Sequence, residues 1–428
     1  MSILFDEIYE IPQYTVKERL AILSGRNVFD ADIPSIPLNS MNTMVCGAPG
    51  MGKTTQIQKL MKQTMEDPNS THIVFDPKGE AYKLFYREGK DHIISLFDLA
   101  DVRHDSKWNL MKDAAESLHP ETTLREITKS ICKEAVEKSH APFFPESAES
   151  LMSAIWIMIY RRYKNNLPCN DVLIQKTRSL TREQLMTEAR KPENSDLYSI
   201  IDELTDPEGK VTTINIKQEM EHILSQAFNP EGNFCSKKGA FSVLDFIRHA
   251  RGERLFLVYD FATADNSRQI FSTMLNMMFK ETIAINAKRN KDTRIYWYLD
   301  ELPVLPYIEN FNSLCCFGRS TRNIVIIGIQ GLSQIYDVYG EEKGNAILSA
   351  FTENIIMRTN DSVTVERLSR RSGQKTVIRT RMGSTRKSVE SKPESTYSIP
   401  EDVMSALDVG EAILSIRGVR PFFVRLNQ

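Results

Sequence analysis

The chain has 428 residues, enough for roughly three average domains or for one large α/β domain with an insertion. Hydrophobic residues make up 41% of it and charged residues 26%, which excludes a disordered or collagen-like chain. The 54 Lys and Arg residues nearly balance the 56 Asp and Glu residues, giving a formal net charge of -2. Any nucleic-acid surface must therefore be local, because a continuous basic coat is excluded.

No apolar stretch approaches the roughly 18 residues that a membrane-spanning helix needs. The first residues, Met-Ser-Ile-Leu-Phe-Asp-Glu, carry acids where a signal peptide carries positive charge. We therefore expect a cytoplasmic protein. The cysteines show no paired C-x-x-C pattern, which favours reduced thiols over a disulfide framework or a zinc site. The six cysteines are Cys46, Cys132, Cys169, Cys235, Cys315 and Cys316.

Short apolar runs predict β-strands on both sides of a long helix-rich block. The block covers residues 110–228, where Ser147–Tyr163 is the clearest predicted helix, and Phe271–Lys288 predicts a later, methionine-rich helix. The polar segment Arg379–Pro400 predicts an exposed loop. The predicted strands are Met41–Cys46, His72–Phe75, His92–Leu96, Leu255–Tyr259, Arg294–Leu299, Asn323–Ile329, Ile355–Arg358, Glu411–Ile416 and Pro421–Leu426.

This order of elements predicts an α/β fold with a mainly parallel central sheet that is split in sequence by an inserted all-α domain. We expect an N-terminal segment at residues 1–40 and an α/β nucleotide-binding domain at residues 41–109 and 229–428. The inserted all-α domain is expected at residues 110–228.

A glycine-rich loop follows the first predicted strand and precedes a predicted helix, Thr55–Met65. Its sequence, Gly-Ala-Pro-Gly-Met-Gly-Lys-Thr, matches the P-loop pattern G-x-x-x-x-G-K-[ST] in the strand–loop–helix context that the motif requires. Glycines let the backbone turn its N–H groups toward phosphate oxygens, and the helix N-terminus adds positive potential. We expect Lys53 to reach the β- and γ-phosphates and Thr54 to bind Mg²⁺. The predicted nucleotide-binding residues are Gly47, Ala48, Pro49, Gly50, Met51, Gly52, Lys53, Thr54 and Thr55.

A second site is predicted where the apolar strand Arg294–Leu299 ends in Asp300 and Glu301. Two acids in this position have the form of a Walker B site, in which one carboxylate holds Mg²⁺ and the next activates water. We assign the first role to Asp300 and the second to Glu301. Asp-Glu is common after apolar runs, so this assignment depends on the P-loop. A nucleotide switch does not need the second acid, and Glu301 therefore favours an enzyme that hydrolyses ATP.

A polar cluster surrounds the predicted strand Asn323–Gln330. The amide of Gln330 either senses the γ-phosphate and positions water, or only caps the next helix. Arg319 and Arg322 precede the strand. Each is either an arginine finger for the nucleotide of a neighbouring subunit or a charge facing solvent or nucleic acid.

Two further polar segments have alternative interpretations. In the turn Asp76–Glu80, Asp76 and Lys78 either face the nucleotide site or belong to a plain turn. A later segment with nine basic and two acidic residues suits contacts with phosphates, or else a solvated or intersubunit surface. Its basic residues are Arg358, Arg367, Arg370, Arg371, Lys375, Arg379, Arg381, Arg386 and Lys387.

With these motifs in this order, the chain resembles the type IV coupling proteins, the conjugative DNA-transfer ATPases of type IV secretion systems. The helical block also lies where that family inserts its all-α domain. The resemblance is carried by the P-loop, by Asp76–Glu80, by Asp300-Glu301, by the block from Gly318-Arg319 through Gln330 to Tyr339-Gly340, and by Leu368–Gly373.

The resemblance implies a RecA-like P-loop NTPase that forms a homo-hexameric motor, binds DNA with little sequence preference and hydrolyses ATP with Mg²⁺ to move its substrate. It implies that the all-α domain contacts a relaxase, the relaxosome or a secreted protein, next to membrane components of a type IV secretion system. Family members usually begin with transmembrane helices, which this sequence lacks. We expect either a soluble member recruited to the cytoplasmic membrane by a partner or a chain whose anchor has been removed.

Two other functions remain open at this point. A DNA-translocating motor outside secretion would share both nucleotide motifs, but would be expected to carry a DNA-reading module that we do not find. A substrate-docking receptor would use ATP as an assembly switch. Glu301 argues against the receptor, since a pure switch needs no water-activating acid.

Overall fold

The computed structural model describes residues 41–95, 106–228, 240–258, 268–285, 293–382, 389–416 and 421–426. These residues fall into two compact units. The first comprises the described residues up to Ser70, Arg294–Pro303 and the described residues from Cys315 onward; the second comprises those of Thr71–Thr293 together with Val304–Leu314. The predicted N-terminal segment, Cys235, Arg386 and Lys387 lie outside the described residues.

Strands and helices follow one another along the described chain, with helices concentrated in its middle third. The strands are β1 (Asn42–Cys46), β2 (Ser70–Asp76), β3 (His92–Ser95), β4 (Arg254–Val258), β5 (Arg294–Leu299), β6 (Asn323–Ile329), β7 (Phe351–Ile356), β8 (Gln374–Met382), β9 (Val389–Tyr397), β10 (Glu411–Ser415) and β11 (Phe422–Arg425). The helices are α1 (Lys53–Thr64), α2 (Ala81–Phe85), α3 (Leu110–Glu116), α4 (Pro120–Lys138), α5 (Phe143–Tyr163), α6 (Asn170–Ser179), α7 (Arg182–Ala189), α8 (Tyr198–Leu204), α9 (Lys210–Ala227), α10 (Val243–His249), α11 (Arg268–Ala284), α12 (Phe311–Phe317), α13 (Ser333–Ala350), α14 (Ser362–Ser372) and α15 (Glu401–Ser405).

The strands of the first unit are ordered β11-β10-β7-β1-β6-β5. The four strands β7, β1, β6 and β5 are parallel, whereas β10 and β11 are antiparallel to their neighbours. Every residue of β1 and β6 is buried, as expected for parallel strands covered on both faces. Parallel pairing brings the carboxyl ends of β1, β5, β6 and β7 to one edge of the sheet, where the predicted nucleotide motifs lie.

The second unit combines three parallel strands, ordered β2-β4-β3, with helices. From Leu110 to Ala227, a stretch described without a gap, the chain forms only helices and no strand. The predicted helix Ser147–Tyr163 is present as α5, which begins earlier, at Phe143, and buries Trp156 completely. The division of the chain into a split nucleotide-binding domain and an inserted all-α domain stays a prediction.

Two segments that flank the helical stretch in sequence pair with each other. Trp108 and Phe241 form a parallel β-bridge, and the buried carboxylate of Asp113 binds residues of both segments. Asp113 accepts hydrogen bonds from Trp108 Nε1 at 2.5 Å, from Ser242 Oγ at 2.6 Å and from the backbone N–H of Leu244 at 3.0 Å. Burial raises the pKa of Asp113 to about 6, even though these hydrogen bonds favour the charged carboxylate.

The raised pKa of Asp113 predicts a pH-dependent stability. A carboxyl whose folded pKa exceeds its unfolded value stabilises the fold while protonated and loses that contribution as the pH rises through the folded pKa. The difference in unfolding free energy between wild type and Asp113→Asn should therefore fall by roughly 2 kcal/mol between pH 4 and pH 7, which is most of a shift of about two pKa units at about 1.4 kcal/mol each. Urea unfolding across this pH range measures it.

The control for this prediction is Asp337→Asn, which alters an exposed aspartate. Its difference from wild type should stay constant across the same pH range. A constant difference for Asp113→Asn as well would contradict the prediction, since it would show that Asp113 titrates alike in the folded and unfolded chains.

The predicted exposed loop at Arg379–Pro400 is wrong for the part that the structure describes. Strands β8 and β9 form an antiparallel hairpin that pairs Gln374 with Tyr397 and Met382 with Val389. A ladder of this kind is held by backbone hydrogen bonds, which need no apolar face. The polar side chains of this segment therefore gave no hydrophobic pattern from which its strands could be predicted.

Two results concern the predictions about membrane spans and cysteines. Within the described ranges, no helix combines the length and the apolar character needed to cross a membrane. Five of the six cysteines are described, and all five are free thiols.

Candidate functional site

The P-loop, Gly47–Thr54, connects the carboxyl end of β1 to the start of α1. Gly50 and Gly52 have φ angles of 77° and 93°, in the left-handed region that glycine adopts without steric cost. Gly47 is required for a different reason, because a Cβ at this position would lie 2.9 Å from the Cβ of Met357. The chain that follows β7 thus packs directly against the loop.

The first residues of the P-loop fix it to the sheet. The N–H of Gly47 donates to the carbonyl of Ile329 at 3.2 Å, and the N–H of Ala48 donates to the carbonyl of Arg358 at 2.8 Å. Pro49 has no N–H. The N–H groups suited to a phosphate are therefore those nearer the start of α1, where the first turn leaves its backbone donors without partners inside the helix. This first turn includes Thr54 and Thr55.

The predicted metal ligands lie next to each other. Thr54 Oγ1 donates a 2.8 Å hydrogen bond to Asp300 Oδ2, which joins the start of α1 to the end of β5. At the other end of α1, Thr64 Oγ1 lies 2.5 Å from the hydroxyl of Tyr298 on the same strand. A hydroxyl and a carboxylate are the hard oxygen ligands that Mg²⁺ prefers, so this pair fits the predicted metal.

Three other predicted residues converge beside the metal ligands. Lys53 is 6% exposed, and its Nζ donates to the carbonyl of Gly47 at 2.9 Å. The same Nζ lies 3.7 Å from Glu301 Oε1, while Gln330 Nε2 donates to Glu301 Oε2 at 3.3 Å. The carboxylate of Glu301 therefore lies between the ammonium of Lys53 and the side-chain amide of Gln330.

Glu301 also has an unusual backbone conformation, with a φ angle of 53°. A non-glycine residue in the left-handed region carries a strain of roughly 1 kcal/mol or more, and such residues cluster at functional sites. Glu301 is 8% exposed and directly follows Asp300 at the carboxyl end of β5. The strained turn directs two successive carboxylates toward the P-loop.

The two predicted arginines are not brought to this site within the chain. Arg319 and Arg322 are exposed and precede the amino end of β6, whereas Gln330 follows its carboxyl end. The seven residues of β6, at about 3.3 Å per residue, put roughly 20 Å between these two ends, beyond the reach of an arginine. Arg322 has a φ angle of 57°, and its carbonyl accepts the N–H of Ile295 at 3.1 Å, which ties the turn to β5.

The turn after β2 belongs to the second unit and is organised by Asp76. Its carboxylate accepts the backbone N–H groups of Glu80 at 3.1 Å and Tyr82 at 2.9 Å. These bonds hold the turn and the start of α2, while Lys78 is exposed.

The predicted basic segment is divided among several elements. Arg358 is exposed just beyond β7, and Arg367, Arg370 and Arg371 lie on α14. Two of these arginines already bind side chains of the protein itself. Arg370 pairs with Glu366 at 2.5 Å, and Arg367 donates to the hydroxyl of Tyr336 at 3.1 Å and to Asn345 Oδ1 at 2.9 Å.

Sequence reasoning missed Asp361 and Thr364, which lie beside the loop of residues 330–333 that joins β6 to α13. Asp361 caps α14, and its Oδ2 also accepts the N–H of Leu332 at 3.1 Å. A signal was available, because an aspartate directly before a helical segment is typical of an N-cap. A cap, however, does not indicate by sequence alone that it also binds a second loop.

The sequence matches the family described as "Type IV secretion-system coupling protein DNA-binding domain" over residues 31–407, most of its length. The chain belongs to this family. The resemblance drawn from the motifs is thereby confirmed.

Individual coupling proteins are similar to this chain in sequence and in structure. Coupling protein TraD of Escherichia coli (strain K12) is 22% identical over 335 residues, which cover 77% of this chain and 43% of TraD. The chain therefore spans less than half the length of that relative. The plasmid coupling protein TrwB in complex with the GTP analogue GDPNP has a TM-score of 0.71 at 17% identity, over 96% of this chain and 92% of TrwB. TrwB in complex with ADP and Mg²⁺ has a TM-score of 0.71 at 16% identity, over the same shares of the two chains.

These structural likenesses confirm the expected fold class, the RecA-like fold of P-loop NTPases, with a mainly parallel sheet and many helices. P-loop, Asp300-Glu301 and Gln330 all lie at the carboxyl ends of parallel strands.

The contact between the predicted metal ligands, Thr54 and Asp300, depends on a small residue on the neighbouring strand. A Cβ at Gly328 would lie 2.3 Å from Asp300 Oδ1 and 2.9 Å from Ile57 Cδ1. We expect Gly328→Ala to lower the free energy of unfolding by about 1–3 kcal/mol, because overpacking a buried site forces its neighbours to move. Urea unfolding measures this loss.

The matched control is Gly209→Ala, where the added Cβ would meet no atom closer than 3.7 Å. That variant should stay close to wild type. Equal stabilities for Gly328→Ala and wild type would mean that Asp300 moves aside at no cost, contrary to the packing described.

Proposed function

We propose that this chain is an ATP-hydrolysing coupling protein that recruits DNA, protein or both and drives this substrate into a type IV secretion channel. The observation that carries the proposal is the position of Glu301, between Lys53 and Gln330 and directly after Asp300. Membership of the coupling-protein family supports it. TrwB has been solved with the ATP analogue ADPNP and with ADP and Mg²⁺, which supports ATP and Mg²⁺ as the ligands of this chain.

Each residue of the site then has a chemical role. Lys53 and the first turn of α1 would bind the phosphates, while Thr54 and Asp300 would hold Mg²⁺, which would neutralise phosphate charge. Glu301 accepts a hydrogen bond from the attacking water and polarises it. Gln330 orients Glu301 and senses the γ-phosphate. These roles require no covalent intermediate, and catalysis would then consist of positioning and electrostatic stabilisation.

The partners follow from the same proposal. DNA binds without sequence preference through phosphate contacts, for which the exposed Arg358, Arg370 and Arg371 are suited. Arg319 or Arg322 acts on the nucleotide of a neighbouring subunit, since neither reaches the site of its own chain, and this favours a homo-hexameric ring. The helical stretch 110–228 recruits a relaxase, the relaxosome or a secreted protein, and membrane components of the secretion system hold the protein at the cytoplasmic membrane.

The test is ATP turnover over a range of protein concentrations, with no DNA, single-stranded DNA or double-stranded DNA. Turnover that rises steeply with protein concentration and with DNA supports a ring motor acting on nucleic acid. Tight ATP binding with negligible turnover under every condition contradicts the motor. It would leave the alternative of a substrate-docking receptor that uses ATP as an assembly switch.

A further inference from the structure

One carboxylate caps two helices next to the nucleotide site. Asp361 Oδ2 accepts the N–H of Thr364 at 2.9 Å and its hydroxyl at 2.6 Å, which caps α14. The same oxygen accepts the N–H of Leu332 at 3.1 Å and of Ser333 at 3.5 Å, at the start of α13. The starts of α13 and α14 are therefore joined through a single side chain.

The loop between β6 and α13, residues 330–333, is held closely by this arrangement. The N–H of Leu332 donates not only to Asp361 Oδ2 but also to Thr364 Oγ1, at 2.9 Å, and the Thr364 side chain is fully buried. A Cβ on Gly331 would lie 2.6 Å from both Cβ and Cγ of Asp361, so the loop backbone touches this side chain. The loop begins with Gln330, whose side chain donates to Glu301.

The charge of Asp361 suits this position. Burial on its own raises the pKa of Asp361, but the hydrogen bonds from Ser333 and Thr364 outweigh burial and hold the pKa below its ordinary value. The side chain is therefore negative at neutral pH. A negative charge at two helix N-termini is favoured by the positive potential of both.

Helix α14 connects this contact to a basic surface. Its buried side, which includes Val365 and Leu368, packs into the protein, while Arg370 and Arg371 are exposed. The helix has 11 residues and spans roughly 16 Å, so a ligand on its last turn acts on the same rigid element that begins at Asp361.

We propose that Asp361 and Thr364 are positioning residues that set Gln330 against Glu301, and that a polyanion on the exposed arginines of α14 alters turnover through them. The proposal rests on the proposed function, because it assigns the regulation of that same site to α14. The polyanion matched by an arginine-rich helix face is a nucleic-acid backbone.

The experiment compares Thr364→Val, which removes the hydroxyl but keeps the shape, with Thr364→Ser, which keeps the hydroxyl. Small misplacements at an active site cost large factors in rate, so Thr364→Val should lower kcat about tenfold with KM for ATP changed less than about twofold. Thr364→Ser should restore kcat to near the wild-type value. Equal losses in both variants, or no loss in either, would overturn the positioning role.

The second half of the proposal is tested with a DNA duplex of random sequence at saturating concentration. The ratio of turnover with DNA to turnover without it should fall toward one in Thr364→Val and be retained in Thr364→Ser. Gly331→Ala, which disturbs the same contact from the loop side, should act like Thr364→Val. An unchanged ratio in both Thr364→Val and Gly331→Ala would overturn the transmission through Asp361 and Thr364.

Amide hydrogen exchange gives a readout that needs no turnover. In Thr364→Val, exchange of the Leu332 amide, followed in the peptide covering residues 330–334, should become several-fold faster, since its N–H loses the shorter of its two acceptors and keeps only Asp361 Oδ2. Adding the duplex to the wild type should change exchange in the same peptide. A wild type without ATPase activity would contradict the proposed function alone, whereas unchanged exchange in both experiments would overturn this inference.

Discussion

Replacing Glu301 by glutamine is expected to lower ATP turnover roughly 100- to 1000-fold, the range found when one preorganised catalytic group is removed. The glutamine amide keeps the size and hydrogen-bonding length of the side chain but cannot accept a proton or polarise water as a carboxylate does. Nucleotide affinity should change by less than about threefold, because the P-loop contacts remain. Steady-state turnover and fluorescent-nucleotide titration together measure the two effects.

The matched control is Glu342→Gln, which makes the same chemical change at an exposed position of α13. It should leave turnover unaltered. Retained turnover in Glu301→Gln would mean that a different group activates the water. The left-handed turn at Glu301 would then need an explanation other than catalysis.

Replacing Lys53 by alanine is expected to weaken ATP binding roughly 100-fold, equivalent to about 3 kcal/mol, because charge-assisted hydrogen bonds to phosphate are lost. The ammonium is buried, and the loop carbonyls of Gly47 and Ala48 lie 2.9 and 3.4 Å from it. Its position is therefore fixed by the same loop that we propose binds the phosphates. Titration with a fluorescent ATP analogue measures the loss.

Lys62→Ala is the control for Lys53→Ala, since Lys62 is exposed on the last turn of the same helix, α1. Its affinity for ATP should match that of the wild type. Affinity within a few-fold of the wild type for Lys53→Ala would instead indicate that ATP binds away from the P-loop.

Strands β5 and β6 were predictable because each is a mostly apolar run followed directly by a polar residue, Asp300 or Gln330. Both Arg294–Leu299 and Asn323–Ile329 have the predicted bounds. Strand β7 was harder, since it begins at Phe351 rather than Ile355. Its early residues Glu353 and Asn354 are polar yet buried, which hydrophobic periodicity does not anticipate.

The contacts around the site were less predictable than its motifs. The P-loop pattern identifies Lys53 and Thr54, but no pattern indicates that Asp361 reaches the loop of Gln330, because the two segments meet only through the order of strands in the sheet. The left-handed turn at Glu301 has no sequence signal either, since neither glycine nor asparagine marks it.

The three tryptophans of the chain give its two units separate optical signals. Trp297 lies on β5 in the first unit, whereas Trp108 and Trp156 belong to the second, and none is more than 1% exposed. Variants that retain one tryptophan would report by fluorescence whether both units melt in one cooperative step. Because Trp297 is three residues from Asp300, its emission also provides a dye-free probe of events at the proposed nucleotide site.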